Sequence, residues 1–125
     1  MIVNVIGAGL AGSEVAYNLG KRGIRVRLFE MRPKKMTEVH KTGYFAELVC
    51  SNSLKSEDIT NAEGLLKAEM RLMGSITLEA AEKARVPSGK ALAVDRNIFA
   101  KEVTEAIERL ESVEIIREEV TEFDP

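Results

Sequence analysis

The amino-acid sequence predicts an α/β fold in which parallel strands alternate with helices, and three segments near the N-terminus support this prediction. The apolar, β-branched run IVNVI ends at a glycine, as buried strands commonly do. Residues 10–21 have the character of a helix, and Gly23 follows them as a stop signal. The alternating segment RVRLFE comes next. Because two strands joined by one helix pair in parallel, these segments predict a βαβ unit.

The remainder of the chain is expected to add helices and a third strand to this unit. Residues 31–59 show no clear period, apart from a single helical turn expected at AELVC, and a stretch of this kind is often functional. Thr60 and Glu63 form an expected capping box before one helix, and Asp95 is expected to cap another. A helix is also expected over TLEAAEKA, and a third strand over VEIIREEVTEF, which ends at Phe123.

Composition narrows the class of protein. The 125 residues are 45% hydrophobic and 30% charged, with a formal net charge of −2, which is typical of one globular domain without a basic field for nucleic acid. No apolar run reaches the roughly 18 residues of a spanning helix, and no basic region precedes the first strand. Cys50 is the single cysteine, so no internal disulfide is expected. These observations predict a cytoplasmic protein without a membrane partner.

A glycine motif lies between the first strand and the first helix. Gly7-Ala8-Gly9-Leu10-Ala11-Gly12 fits G-x-G-x-x-G, and Glu30 ends the second strand eighteen residues after Gly12. In this motif the first glycine permits the turn, the second lets a diphosphate approach the backbone, and the third lets the helix pack closely. The helix amides would bind the diphosphate, and Glu30 would accept from ribose hydroxyls. The pattern predicts a Rossmann-like domain that binds FAD or NAD(P).

Two questions stay open at this motif. The glycines do not separate FAD from NAD, and although Glu30 would repel a 2′-phosphate, Arg32 nearby keeps NADP possible at this site. The alternative is a glycine-rich turn without a ligand, with Glu30 as an ordinary acid at a strand end. That alternative requires the strand, the helix, the second strand and the acid to coincide by chance.

Other candidate residues each have a structural and a functional interpretation. Cys50, in AELVCSNSL, is either a small buried hydrophobic residue or a nucleophile beside a flavin, with its pKa lowered by a helix N-terminus or a cation. Arg96, after Asp95, is either a surface cation at a helix start or a partner for cofactor phosphate. No group of cysteine, histidine and acidic residues has the spacing of metal ligands, so no metal is predicted.

Three stretches together resemble one protein family. They are GAGLAGSEVAYNLGKRGIRVRLFEMRP, FAELVCSNSLKSEDITNAEGLLKAEM and VPSGKALAVDRNIFAKEVTEAI. They resemble the bacterial folate- and FAD-dependent tRNA uracil-5 methyltransferases, which use methylenetetrahydrofolate. The cysteine stretch is the discriminating one, because a related family, which installs carboxymethylaminomethyl groups on wobble uridine, shares the glycine motif and the DR segment but not ELVCSNS. The likeness runs from Ile2 to about Val120.

The resemblance implies a reaction and its cofactors. FAD would lie on the glycine motif and Glu30, with NAD(P)H as the source of reducing equivalents. A one-carbon unit from 5,10-methylenetetrahydrofolate would pass to carbon 5 of a uridine in the T-loop of tRNA. Cys50 matches a family cysteine near the flavin that is implicated in this transfer, which suits the ability of thiolates to add to carbon and leave again.

Family members are several times longer than this chain. Residues 1–125 are therefore interpreted as the N-terminal part of an FAD-binding domain, apparently incomplete, in which three parallel strands leave an edge open to self-association. Weak FAD binding and no tRNA methylation are expected of the chain by itself. The alternative function is a stand-alone module that binds NAD or FAD, or an oxidoreductase fragment without methyltransferase activity.

Overall fold

The computed structural model describes residues 1–122 and contains the predicted βαβ unit at its N-terminus. Val3 lies opposite Val26 and Val5 opposite Leu28 in a parallel pair of strands. In chain order the elements are β1 (Ile2–Ile6), α1 (Leu10–Lys21), β2 (Arg25–Phe29), β3 (Ser53–Ser56), α2 (Ala62–Leu72), α3 (Ile76–Ala84), β4 (Arg85–Val86), β5 (Ala91–Val94), α4 (Arg96–Glu108) and β6 (Val113–Ile116).

The third predicted strand, β6, joins the parallel sheet and gives it the order β1-β2-β6. It ends at Ile116, well before the predicted end, and Phe123 lies outside the described residues. Helices α1, α3 and α4 contact one another and carry much of the core. Its fully buried members include Ala16, Leu28, Phe45, Leu92, Phe99 and Ile107. This packing places the carboxyl ends of β1 and β2 beside the first turn of α1.

A second sheet, which the sequence did not predict, is antiparallel with the order β3-β5-β4. Its β3 strand lies in the stretch that shows no sequence period. The strand carries a register shift between Ser53 and Ser56, and Lys55 has a φ of 71°, so its side chains do not alternate regularly. Pairing with β5, not local pattern, therefore defines this strand. The expected helical turn at AELVC is absent, since Phe45 and Ala46 form a turn and the residues after them are irregular.

The cap of α2 differs from the prediction by one residue. Asn61, not Thr60, is the N-cap, and its side chain accepts a hydrogen bond from the amide of Gly64 at 3.0 Å. The Thr60 hydroxyl donates instead to Asp58 at 2.7 Å. Because its hydroxyl is bonded to Asp58, Thr60 does not cap the helix. The predicted cap of α4 is confirmed, because Asp95 accepts from the amides of residues 97 and 98.

Helix α2 turns Gly64 and Lys67 inward, while Leu65, Leu66 and Met73 are exposed. Close packing explains why residue 64 is a glycine, because a Cβ at this position would lie 1.9 Å from the carbonyl oxygen of Asp58. No helix within residues 1–122 combines the length and the apolar character that crossing a bilayer requires.

An ion-pair network joins the second sheet to the helices beside it. Glu57, which follows β3, accepts from the guanidinium groups of Arg71 on α2 and Arg85 on β4. The hydrogen bonds from Arg85, ahead of those from Arg71, lower the pKa of Glu57 to about 2. Arg85 also pairs with Glu82 at 2.7 Å. The network thus connects the end of β3 with α2, α3 and β4.

We expect Glu57→Gln to destabilise the chain by about 1 kcal/mol at pH 7, a value limited by solvent screening of this partly exposed group. The folded-state pKa of Glu57 is below the ordinary value of 4.5. Its contribution is therefore fully present above pH 4.5 and is lost as the pH falls toward about 2. Urea unfolding between pH 7 and pH 3 measures the difference. Glu69→Gln, an exposed acid on α2, is the control, and a gap that does not narrow with acid would contradict this account.

Candidate functional site

The glycine loop between β1 and α1 is a tight turn. Gly7 has a φ of 92°, a left-handed conformation that favours glycine. Gly12 packs directly against this turn, because a Cβ at Gly12 would lie 1.8 Å from the carbonyl oxygen of Gly7. These contacts confirm the structural roles expected of the first and third glycines. They bring the first turn of α1 against the end of β1.

The loop presents a row of backbone donors to open space. Within residues 1–122, no protein group accepts from the amides of residues 9 to 12, and the N-cap Gly9 has no side chain to do so. The first helix bond of the turn is donated by Ser13 to the carbonyl of Gly9 at 3.0 Å. A Cβ at Gly9 would meet nothing within 4 Å, so packing inside the protein does not require this glycine. Four adjacent donors at a helix N-terminus form an anion-binding geometry.

The backbone of Ala8 is held by hydrogen bonds through both its N–H and its carbonyl. Its N–H donates to Oε1 of Glu30 at 3.0 Å. Its carbonyl accepts from the amide of Ala46 at 2.8 Å and from the hydroxyl of Ser13 at 3.2 Å. Ala46 adopts a φ of 54°, which is uncommon for a residue with a Cβ. The glycine loop is thus fixed to β2, to α1 and to the irregular segment that leads to Cys50.

Glu30 is buried and ionised at the end of β2. Only 6% of the residue is exposed. Its Oε2 accepts from the amide of Arg32 at 3.0 Å and from Nε of Arg32 at 2.9 Å. Burial by itself would raise the pKa of Glu30, but the bonds from Arg32 and Ala8 outweigh burial and place the pKa below its ordinary value. The carboxylate is therefore charged and pre-oriented at neutral pH.

A cleft of about 230 Å³ opens beside Glu30 and the glycine loop. We call it the Glu30 cleft; it is lined by Ile6, Gly7, Phe29, Glu30, Met31, Glu118, Glu119 and Val120. Three of these residues are acidic. The cleft thus offers acceptors for hydroxyl groups, and two of its acids are paired with cations, Glu30 with Arg32 and Glu119 with Lys35.

Arg32 does not face this cleft. Only 3% of the residue is exposed, and its guanidinium donates to Glu30 and, at 3.2 Å, to the carbonyl of Thr42. Its Nη1 also lies 3.9 Å from Oε1 of Glu47. The expectation that Arg32 would hold a ligand phosphate therefore needs correction in this structure, because the side chain is occupied by protein acceptors. Its position is that of a group that orients Glu30.

Sequence reasoning missed Glu47. Its carboxylate accepts from the amides of Lys41 at 2.9 Å and Thr42 at 2.7 Å, and from the Thr42 hydroxyl. Burial would raise the pKa of Glu47, and these hydrogen bonds, led by that of Thr42, bring it below the ordinary value. No local pattern marks this residue, because its partners lie in a loop without period. Its place three residues before Cys50 was the one available signal.

Arg117, which follows β6, was also missed. It donates to the carbonyls of Arg32 at 2.9 Å and Gly43 at 2.6 Å. Its guanidinium lies 4.6 Å from the centre of the Phe45 ring. Burial lowers the pKa of Arg117 from its ordinary value, although the group remains a cation. The residue holds both ends of segment 32–45 against the parallel sheet, a long-range role that a strand-like sequence context does not indicate.

Cys50 and Arg96 line one larger cleft, of about 650 Å³. We call it the Cys50 cleft; it is lined by Val39, Lys41, Thr42, Glu47, Leu48, Val49, Cys50, Ser51, Asn52, Val94, Asp95, Arg96 and Asn97. Cys50 is exposed, so the interpretation of a small buried residue is wrong. Arg96 is exposed at the first turn of α4, beside the Asp95 cap. The fold thus brings together two candidates that are distant in sequence.

The described part of the chain holds no group of three or more histidine, cysteine or acidic side chains placed to bind a metal ion. The expectation that no metal is needed stays a prediction.

The comparisons with known proteins agree with this geometry. The family model described as "Glucose inhibited division protein A" matches residues 2–125. The chain belongs to the glucose-inhibited division protein A family. Among solved structures, GidA of Aquifex aeolicus covers 93% of this chain with a TM-score of 0.69 at 16% identity, over 19% of its own length. The p-nitrophenol 4-monooxygenase PnpA of Pseudomonas putida covers 99% of this chain with a TM-score of 0.63 at 18% identity, over 33% of its own length. These likenesses confirm the predicted α/β, Rossmann-like fold.

Within this glucose-inhibited division protein A family, more similar relatives carry a more specific name. The protein named methylenetetrahydrofolate–tRNA-(uracil-5-)-methyltransferase TrmFO of Thermotoga maritima is 99% identical over 125 residues, all of this chain and 29% of the relative. Its counterpart in Fusobacterium nucleatum is 58% identical over 121 residues, 97% of this chain and 28% of the relative. The predicted resemblance is confirmed. The chain spans less than a third of the length of these relatives.

The second and third glycines of the motif make a matched pair for a test of the loop geometry. We expect Gly12→Ala to destabilise the chain by about 1–3 kcal/mol, because the added methyl group collides with the backbone at Gly7. We expect Gly9→Ala to change the free energy of unfolding by less than about 1 kcal/mol, because the space there is open. Urea denaturation of both variants measures the difference. Equal losses of stability would contradict the described loop.

Proposed function

We propose that this chain binds the ADP half of FAD at the glycine loop and the Glu30 cleft, as the FAD-binding portion of a methylenetetrahydrofolate-dependent tRNA methyltransferase that forms 5-methyluridine in the T-loop. One observation carries the proposal: four amides at the start of α1, which have no acceptor within residues 1–122, lie beside a buried, ionised carboxylate at the end of β2. This is the pairing of donors and acceptor that a diphosphate linked to a ribose requires. The names of the relatives support the methyltransferase reading.

The chain's own residues fit the cofactor in shape and in charge. The amides of residues 9 to 12 would hold the diphosphate, and the open space at Gly9 lets it approach the backbone. Glu30 would accept from a ribose hydroxyl, since one of its roughly four lone-pair sites is free. Glu118 lines the same cleft and adds to the charge of Glu30, whereas Glu119, also in the lining, is paired with Lys35 at 2.8 Å. A ligand with a 2′-phosphate is therefore disfavoured here, and NADPH would act from elsewhere.

The Cys50 cleft supplies the second half of the proposal. FAD, when bound, supplies the capacity to accept reducing equivalents from NAD(P)H and pass them on. Cys50 offers an exposed thiol that can add to electrophilic carbon, and Arg96 offers a planar set of donors to an anionic group of the cofactor. We propose 5,10-methylenetetrahydrofolate as the one-carbon donor and a tRNA uridine as the acceptor. Both follow from the names of the relatives rather than from described contacts.

A stand-alone dinucleotide-binding module is the second candidate. The glycine loop and the Glu30 cleft complete a site for ADP without the Cys50 cleft, and ADP is common to FAD and NAD. The two candidates differ in whether the Cys50 cleft takes part in ligand binding.

We expect the chain to bind FAD more tightly than NAD, because only FAD is proposed to use both clefts. We also expect AMP to bind at least about tenfold more tightly than adenosine 2′,5′-bisphosphate, which differs from it only by the 2′-phosphate; a tenfold ratio corresponds to about 1.4 kcal/mol of repulsion. Isothermal titration calorimetry at fixed ionic strength measures all four ligands. Tighter binding of NAD than of FAD would favour the stand-alone module. Equal binding of AMP and adenosine 2′,5′-bisphosphate would contradict the role assigned to Glu30.

We expect Cys50→Ala, placed in the full-length Thermotoga maritima relative, to reduce methyl transfer to unmodified tRNA by about 1,000-fold or more, because the nucleophile is lost. The flavin absorbance of the purified variant should be unchanged. Transfer of labelled carbon from methylenetetrahydrofolate into tRNA is the readout. Ser88→Ala, which removes a side-chain atom from an exposed turn, is the control. Normal turnover by the cysteine variant would return Cys50 to a structural role.

A further inference from the structure

We propose that Arg32 and Glu47 are positioning residues that couple ribose binding at Glu30 to the wall of the Cys50 cleft. The inference rests on the proposed function at the Glu30 cleft. It adds that the two clefts do not act independently, because one buried guanidinium lies between the carboxylates that serve each of them.

The guanidinium of Arg32 lies between two carboxylates, one of which is closer to it than the other. Its Nε is 2.9 Å from Oε2 of Glu30, whereas its Nη1 is 3.9 Å from Oε1 of Glu47. The side chains of all three residues are at most 10% exposed, so water competes little for these charges. The carbonyl of Thr42, 3.2 Å from Nη1, holds the guanidinium between them. A small shift of Arg32 toward Glu47 exchanges one ion pair for the other.

Ribose binding supplies a cause for this shift. Glu30 already accepts from the Ala8 amide, the Arg32 amide and the Arg32 guanidinium. A carboxylate has about four lone-pair sites, so only one is free, while the two hydroxyls of a ribose bring two donors. Accepting both hydroxyls weakens the bond from the guanidinium. Glu47 is the carboxylate that Arg32 then approaches, because it is the second acid within ion-pair distance.

Glu47 transmits the change to the Cys50 cleft. Its carboxylate holds the amides of Lys41 and Thr42, and all three residues line that cleft together with Cys50. Glu47 is three residues from Cys50 along the chain, with no helix or strand between them. A closer Arg32–Glu47 pair therefore fixes the wall beside the thiol more tightly. We expect ribose binding to reduce access of small reagents to the thiol.

Alkylation of Cys50 by iodoacetamide, followed by intact-mass spectrometry, tests the coupling, since this chain contains one cysteine. ADP is the probe and does not carry the flavin. We expect saturating ADP to slow alkylation by about fivefold or more, the lower range of typical coupling between sites. In Glu47→Gln we expect ADP to bind several-fold more weakly, because coupling acts in both directions, and at saturation to leave the rate of alkylation unaltered. Glu38→Gln, an exposed acid in the same segment, should keep the wild-type response.

The outcomes separate the two proposals. If ADP fails to bind, the site at Glu30 is wrong and the coupling falls with it. If ADP binds and the alkylation rate is unchanged, or if slowing persists in Glu47→Gln as direct shielding would, the coupling alone is wrong. If the Glu47→Gln variant does not fold, the nuclear magnetic resonance signal of the Arg32 Nε–H in the wild-type chain tests the coupling instead. It shifts upon ADP addition if its bond to Glu30 weakens, and an unmoved resonance overturns the inference.

Discussion

Ala8 donates to Glu30 through its amide and accepts from Ala46 and Ser13 through its carbonyl, and the arrangement of the site depends on these bonds. The N–H and the C=O of Ala8 belong to two consecutive peptide groups, and both are hydrogen-bonded, so the backbone on either side of this residue is held and the amides that follow keep one direction. The bonds also join segments that are far apart in sequence. The end of β2, the start of α1 and the irregular segment before Cys50 meet at this single residue.

The same contact explains why a charged residue is buried at the end of β2. Desolvation of Glu30 is unfavourable, and three hydrogen bonds to its carboxylate offset that cost. Replacing the acid by an apolar residue would remove the cost but would also release Ala8 and Arg32. The buried charge therefore stabilises one arrangement of the loop more than it stabilises the fold as a whole. That preference suits a site whose donors must be oriented before a ligand arrives.

Features encoded by local pattern were predictable, whereas features made by distant partners were not. The glycine motif, α1, the first two parallel strands and the Asp95 cap depend mainly on nearby residues, and the sequence predicts them correctly, whereas β6 ends at Ile116, before its predicted end. β3 depends on β5, and the role of Arg117 depends on carbonyls of residues 32 and 43, so neither leaves a periodic signal. The prediction of a Thr60 cap was wrong because the Thr60 hydroxyl donates to nearby Asp58 instead. Arg32 was assigned to a ligand because sequence shows its proximity to Glu30 but not the direction of its side chain.

Backbone nuclear magnetic resonance of the chain during titration with ADP tests the central claim most directly. If the glycine loop presents its amides to a diphosphate, the resonances of Gly9, Leu10, Ala11 and Gly12 shift together. The exchange of these four amide hydrogens with solvent also slows. The Ala8 amide, already bonded to Glu30, keeps its slow exchange throughout. Adenosine, which has no phosphate, should leave the four amides unchanged. Changes centred on Cys50 and Arg96, with the glycine loop unaffected, would contradict the account.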